Sequence, residues 1–183
     1  MVSLQTPLCD FGWPAPDFDL PGVDGKNYRL QESVGPQGLL VMFICNHCPY
    51  VKAVRSRIVR DAQALMQHGI HCVAINANDA TQYPEDDFSH MQSIAREWAL
   101  PFPYLHDESQ AVAKAYGAVC TPDFFGFNKT LGLQYRGRLD ASRKETAPDA
   151  DRDLYNAMLQ VAQTGHGPKE QISSMGCSIK WKE

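Results

Sequence analysis

The sequence predicts an α/β protein with a mixed central sheet and helices on both faces, and three observations carry that prediction. The unbroken apolar run Leu39-Leu40-Val41-Met42-Phe43-Ile44 has the length of a strand buried on both sides, and residues 70–75 read as a second buried strand. Between them Val51, Val54, Ile58, Ala62 and Leu65 recur at helical spacing, so strand, helix and strand imply a right-handed parallel crossover. Short runs separated by Gly- and Asp-rich turns flank this unit on either side, which adds hairpins to the sheet.

Taken in order, the first dozen residues show no periodicity. Residues 15–20 and 26–30 flank Pro21-Gly22-Val23-Asp24-Gly25 and read as a hairpin extension. Gly35-Pro36-Gln37-Gly38 breaks the chain before the first buried strand. Pro49 suits the first turn of the following helix, where its missing N–H is no loss, and Gly69 stops that helix. After a polar loop over 76–84, a helix is expected over 85–98 with Phe88, Met91, Ala95 and Trp98 on one face. A short strand follows at 102–106, then a helix over 109–116 ended by Gly117. Thr121-Pro122 opens a strand through Phe127, which turns back along 133–136, and a last helix covers 149–163. Residues 166–183 remain as a C-terminal tail.

A length of 183 residues fits one domain over 1–183, with a core of about 11–165. With 44% hydrophobic and 21% charged residues, the chain has the balance of a globular protein rather than a disordered one. A formal net charge of −4, without a Lys/Arg run, gives no footprint for nucleic acid. The first residues carry neither a basic leader nor an apolar stretch, and no segment nears the roughly 20 apolar residues that cross a bilayer. No membrane partner and a cytoplasmic location are therefore expected.

The chemistry centres on Cys45-Asn46-His47-Cys48-Pro49-Tyr50. The two cysteines fall where a buried strand gives way to a helix, and there the helix's free N–H groups and positive dipole end favour a thiolate. Their spacing lets the sulfurs bond, so one can attack a disulfide and the other resolve the mixed disulfide. His47 between them, partly protonated near neutrality, would favour the thiolate further. A structural zinc site would need a second close-spaced pair, which the sequence lacks. His68, His71, His90, His106 and His166 are dispersed, so neither a metal nor a cofactor is implied. Proline after Cys48 excludes the haem-attachment motif. Cys9 and Cys72 read as small buried hydrophobes. Cys120 and Cys177 are candidates for a third redox thiol, while Trp13, Tyr50 and Tyr83 are candidates for an aromatic rim. Thr121 and Pro122 would form a substrate groove if a cis peptide presented the Thr121 backbone opposite the C-x-x-C loop.

Several segments together resemble the peroxiredoxin-like branch of the thioredoxin superfamily, in the alkyl hydroperoxide reductase/thiol-specific antioxidant group. They are Ala15-Pro16-Asp17-Phe18, the C-x-x-C segment, Thr121-Pro122-Asp123-Phe124-Phe125, Tyr135-Arg136-Gly137 and Gly176-Cys177-Ser178-Ile179-Lys180-Trp181. The resemblance implies a thioredoxin fold and a cis Pro122. It also implies two orders of attack: Cys45 leads in thioredoxin-like oxidoreductases, whereas the peroxide-reducing cysteine aligns with Cys48. The peroxidase's threonine position is occupied by Cys45, and the strand that would carry its arginine begins Thr121-Pro122.

The leading expectation is therefore a thiol–disulfide oxidoreductase with Cys45 as nucleophile, Cys48 as resolver, His47 tuning the pair and Pro122 shaping the groove. Its partners would be protein or small-molecule thiols and disulfides, with a dithiol reductant as electron donor. The alternatives are a thiol peroxidase attacking peroxide through Cys48, and a Cu- or Zn-binding protein that uses Cys45, Cys48 and a histidine.

Overall fold

The computed structural model describes residues 2–183. Its central sheet has five strands in the order β6-β5-β4-β8-β9. Here β4 is Gly38–Phe43, β5 Ile70–Asn76, β6 Tyr104–His106, β8 Asp123–Asn128 and β9 Leu133–Tyr135. β4, β5 and β6 run parallel, and β8 and β9 return antiparallel. Every residue of β4 is buried, as its unbroken apolar run requires in a sheet covered on both faces.

Alternation along the strands divides the core in two. Leu40, Met42 and Phe124 join α2 (Pro49–Met66), α3 (Phe88–Glu97) and α5 (Asp153–Thr164) on one face. Leu39, Val41, Phe43, Phe125 and Phe127 join α4 (Ala111–Tyr116), α1 (Leu30–Ser33) and the hairpin of β2 (Asp19–Pro21) with β3 (Asn27–Arg29) on the other. Cys45 and Cys48 belong to the first face.

A second sheet, β1-β10-β7, lies at one end of the first. Its strands are β1 Ser3–Gln5, β10 Met175–Ser178 and β7 Cys120–Thr121, all antiparallel. This sheet revises two expectations: residues 3–5 and part of the tail are strands, each ordered by the other. The strand expected to run from Thr121 through Phe127 also divides. The cis Thr121-Pro122 peptide separates β7 in the small sheet from β8 in the large one.

Helix starts moved as well. Residues Pro84–Asp86 form a 3-10 turn, and α3 begins only at Phe88, where Asp87 caps it by accepting from the His90 N–H. α5 begins at Asp153, four residues later than the pattern suggested, and ends before Gly165 at φ +77°. Leu30, assigned to the hairpin, opens α1 instead.

Candidate active site

Strand β4 delivers the chain to the site. Ile44 continues its hydrogen bonding to Ile75, Cys48 is the N-cap of α2, and Pro49 fills the first helical position. The loop between the cysteines is held rigidly. Asn46 donates its backbone N–H to Asp86 at 2.7 Å and its side-chain amide to the Glu85 carbonyl at 2.9 Å, and it accepts from the Tyr104 hydroxyl at 2.8 Å.

Asp86 organises this wall. It is completely buried, and its carboxylate faces His47 Nδ1, the Asn46 N–H and the side-chain amides of Asn76 and Asn78. Burial would raise its pKa, but the donors from His47, Asn78 and Asn46 outweigh burial and hold the carboxyl below its ordinary value. Its bond to His47 raises that imidazole in turn. The His47 ring stacks on Tyr83 with centroids 5.2 Å apart and planes 8° from parallel. Donor atoms of Cys45, His47 and Asp86 lie within 4.8 Å of one another. Both carboxylate oxygens are already engaged by nitrogen donors, so Asp86 orients His47 and pins the loop rather than offering a free metal ligand.

This pair makes a pH prediction with a definite sign. Asp86, with its pKa lowered, stabilises above its unfolded value and loses that contribution as pH falls through its depressed one. His47, with its pKa raised, stabilises below its unfolded value and loses that contribution as pH rises through its elevated one. Protection of the Asn46 amide against hydrogen exchange should therefore be greatest between about pH 4 and 6.5, the ordinary values of the two groups. A His47→Gln variant should lose the alkaline limb, and an unchanged profile in that variant would refute the assignment.

Both active-loop sulfurs are fully buried, and Thr121 bridges them. Its hydroxyl lies 3.3 Å from Cys45 Sγ, and its carbonyl oxygen lies 3.5 Å from Cys48 Sγ, from which it accepts only while that thiol is protonated. Burial pushes the Cys45 thiol well up, and its hydrogen bond to Cys48 pushes it further. The same bond, donated by Cys45, brings the Cys48 thiol well below the ordinary range. Burial opposes this, while Cys177, the Val51 N–H at the helix head and Thr121 add to it. The charge of Cys48 also helps keep His47 protonated.

Cys177 thus sits against the pair. β10 places it opposite Thr121, buried to 4% exposure. Burial raises its thiol, and so does the hydrogen bond to Cys48. Cys120, one residue along β7, turns its thiol to the Pro122 carbonyl at 3.6 Å and is pushed up by burial. The Thr121 backbone, expected to be open to a substrate, is paired with the chain's own β10. On the other flank of Pro122 a groove of about 620 Å³ is lined by Tyr50, Val54, Phe124, Arg143 and Lys144 among others.

Of the aromatic candidates, Tyr83 covers His47 and Tyr50 packs beside the cysteine cluster under Lys144, 4.6 Å from the ring centre. Trp13 does not belong there. It packs edge-on against Tyr116 on the opposite face of the sheet, because Pro14 bridges to Gly132 and carries it there. Arg136 is on that face too, paired with Asp123 at 3.0 Å and lying over Phe125. Asn46 and Asp86 went unrecognised in the sequence, as did Gly176. Only the acidic run Glu85-Asp86-Asp87 hinted at Asp86, and nothing in it distinguishes the inward carboxylate from its neighbours.

The AhpC/TSA family model matches residues 11–140, most of the chain. A search of the curated proteins gives no match. Among solved structures, an uncharacterized conserved protein from Geobacillus kaustophilus is 45% identical with a TM-score of 0.93, covering 100% of this chain and 97% of its own. A hypothetical protein from Sinorhizobium meliloti is 37% identical with a TM-score of 0.89, covering 97% and 98%. The peroxidoxin BcpB from Mycobacterium tuberculosis shares the fold at 15% identity and a TM-score of 0.62, over 84% and 96%. Other neighbours below 25% identity are named for thiol–disulfide exchange, so the likeness of fold does not choose between exchange and peroxide reduction. With its thioredoxin fold and C-x-x-C pair in place, the chain belongs to the AhpC/TSA family.

Proposed function

We propose that the chain is a thiol–disulfide oxidoreductase that attacks with Cys48 and resolves with Cys45. The observation that carries this reading is the surroundings of Cys48. That sulfur stands at the head of α2, in one buried cluster with Cys45 and Cys177, and its thiol is drawn well below the ordinary range, so it is the one that carries negative charge. The Cys48 thiolate attacks a substrate disulfide, forming a mixed disulfide and releasing one thiolate. Cys45 then gives up its proton and attacks Cys48, closing the Cys45–Cys48 disulfide and releasing the second thiol. A dithiol donor reverses the bond, and a cytoplasmic setting would keep the resting pair reduced. This order inverts the one expected from thioredoxin-like proteins.

The test is the rate of iodoacetamide alkylation at each cysteine against pH, read by mass spectrometry. Cys48 should reach its plateau rate well below the pH at which Cys45 begins to react. A profile in which Cys45 is the acidic thiol would overturn the assignment.

A second reading, peroxide reduction by the same Cys48, is favoured by the complete burial of both sulfurs, which suits a small oxidant. Against it, the strand on which the family's arginine was expected, Asp123–Asn128, carries none, and Arg136 is engaged with Asp123 and Phe125 on the opposite face of the sheet. That strand then supplies no arginine to stabilise a departing oxygen. Stopped-flow consumption of hydrogen peroxide no faster than by a free thiol would remove this reading.

A further inference from the structure

Three thiols meet at Thr121, and only two of them belong to the C-x-x-C motif. Cys45 touches the Thr121 hydroxyl, Cys48 its carbonyl, and Cys177 is its cross-strand partner in β10. All three cysteines are buried in the same cluster on one face of the central sheet, gathered around this one residue.

The approach of β10 is built into the backbone. A Cβ on Gly176 would lie 2.2 Å from the Thr121 carbonyl oxygen and 3.1 Å from the Pro122 nitrogen, so only glycine lets the strand lie this close. Flanking contacts fix it on both sides. The Ser174 hydroxyl donates to the Pro122 carbonyl at 3.2 Å, and Thr6 exchanges backbone and side-chain hydrogen bonds with Ser174. Beyond the strand, the Lys180 N–H reaches Asn78 at 2.9 Å, its carbonyl accepts from the Asp79 N–H, and its ammonium lies over Tyr83. β10 therefore occupies the edge of β7 that an extended substrate would use, with a cysteine at the position facing the attacking sulfur.

We infer that Cys177 is a second resolving thiol: it competes with Cys45 for Cys48, and the disulfide moves between Cys45–Cys48 and Cys48–Cys177 within one molecule. This rests on Cys48 being the attacking sulfur. In the exchange the Cys177 thiolate attacks Cys48 Sγ. The Cys48–Cys177 bond forms as the Cys45–Cys48 bond breaks, and the Cys45 thiolate takes the proton that Cys177 gave up. No electrons are gained or lost. Once Cys48 is in a disulfide its charge is gone, which removes one of the two main influences that hold Cys177 protonated in the reduced state.

Trypsin makes the bond easy to read, since Cys45 and Cys48 share the peptide 30–52 while Cys177 lies in 170–180. The full-length Cys45→Ser variant, treated with oxidised glutathione, quenched in acid and alkylated, should show these two peptides cross-linked. Persistence of glutathione on Cys48 with Cys177 alkylated would overturn the inference and leave Cys48 as nucleophile intact. Failure of Cys48 to take up glutathione in a Cys45→Ser/Cys177→Ser double variant would instead overturn the proposed function. Gly176→Ala gives an independent reading with all three thiols present. The cross-link should fall at least tenfold while the Cys45–Cys48 disulfide still forms, and a cross-link at the wild-type yield would count against the geometry.

Discussion

Cys48→Ser should abolish turnover, lowering kcat/KM for a disulfide substrate by about three orders of magnitude or more, since the nucleophile itself is removed. Cys45→Ser should behave differently. The first attack survives, and Cys48 is trapped as a mixed disulfide that Cys45 no longer resolves. The contrast can be sharpened with a third variant. Serine at position 45 keeps a hydroxyl that donates to Cys48, whereas alanine does not, and the Cys45 bond is the foremost influence lowering the Cys48 thiol. Cys45→Ala should therefore move the alkylation midpoint of Cys48 upward relative to Cys45→Ser. A Cys48→Ser protein that still turns over, beside a Cys45→Ser protein that forms no mixed disulfide, would restore the opposite order.

Asp86→Ala should cost about 3–5 kcal/mol in stability, the range for removing one partner from a buried charged pair. The carboxylate is wholly enclosed and engages His47, Asn46, Asn76 and Asn78, so alanine leaves several buried donors without acceptors at once. The damage should reach the redox site, because the Asn46 amide fixes the loop between the cysteines. Asp86→Asn, which keeps one acceptor oxygen, should be milder. Urea unfolding at pH 6 measures both, and an alanine variant within about 0.5 kcal/mol of wild type, the usual range for an uneventful surface change, would refute the role.

The parts of the fold that local chemistry specifies were legible in the sequence. The run 39–44 has one environment available to it, a strand covered on both faces, and β4 is buried throughout. A C-x-x-C followed by proline marks a helix start, and Cys48 caps α2. Where the outcome depends on distant partners, sequence pattern had little to offer. Ser3–Gln5 is a three-residue exposed strand whose only reason to be extended is β10. Asp86 and Asp87 are adjacent acids with opposite fates, one buried under the active loop and one capping a helix at the surface. Trp13 looked like any aromatic near an N-terminal segment, and the bridge of Pro14 to Gly132 sent it to the far face.

The small sheet has a consequence for the order in which the site is completed. Its strands join residues 3–5, 120–121 and 175–178, pairings that close long loops and so form late in folding. Helix α2 is local and can form without them, whereas the C-x-x-C loop also needs Asp86, Glu85 and Tyr104 in place. A chain in which β10 has not yet paired would leave Thr121, and the sulfurs that lie against it, without this cover. A pair oxidised before β10 docks would carry its disulfide into the closed site.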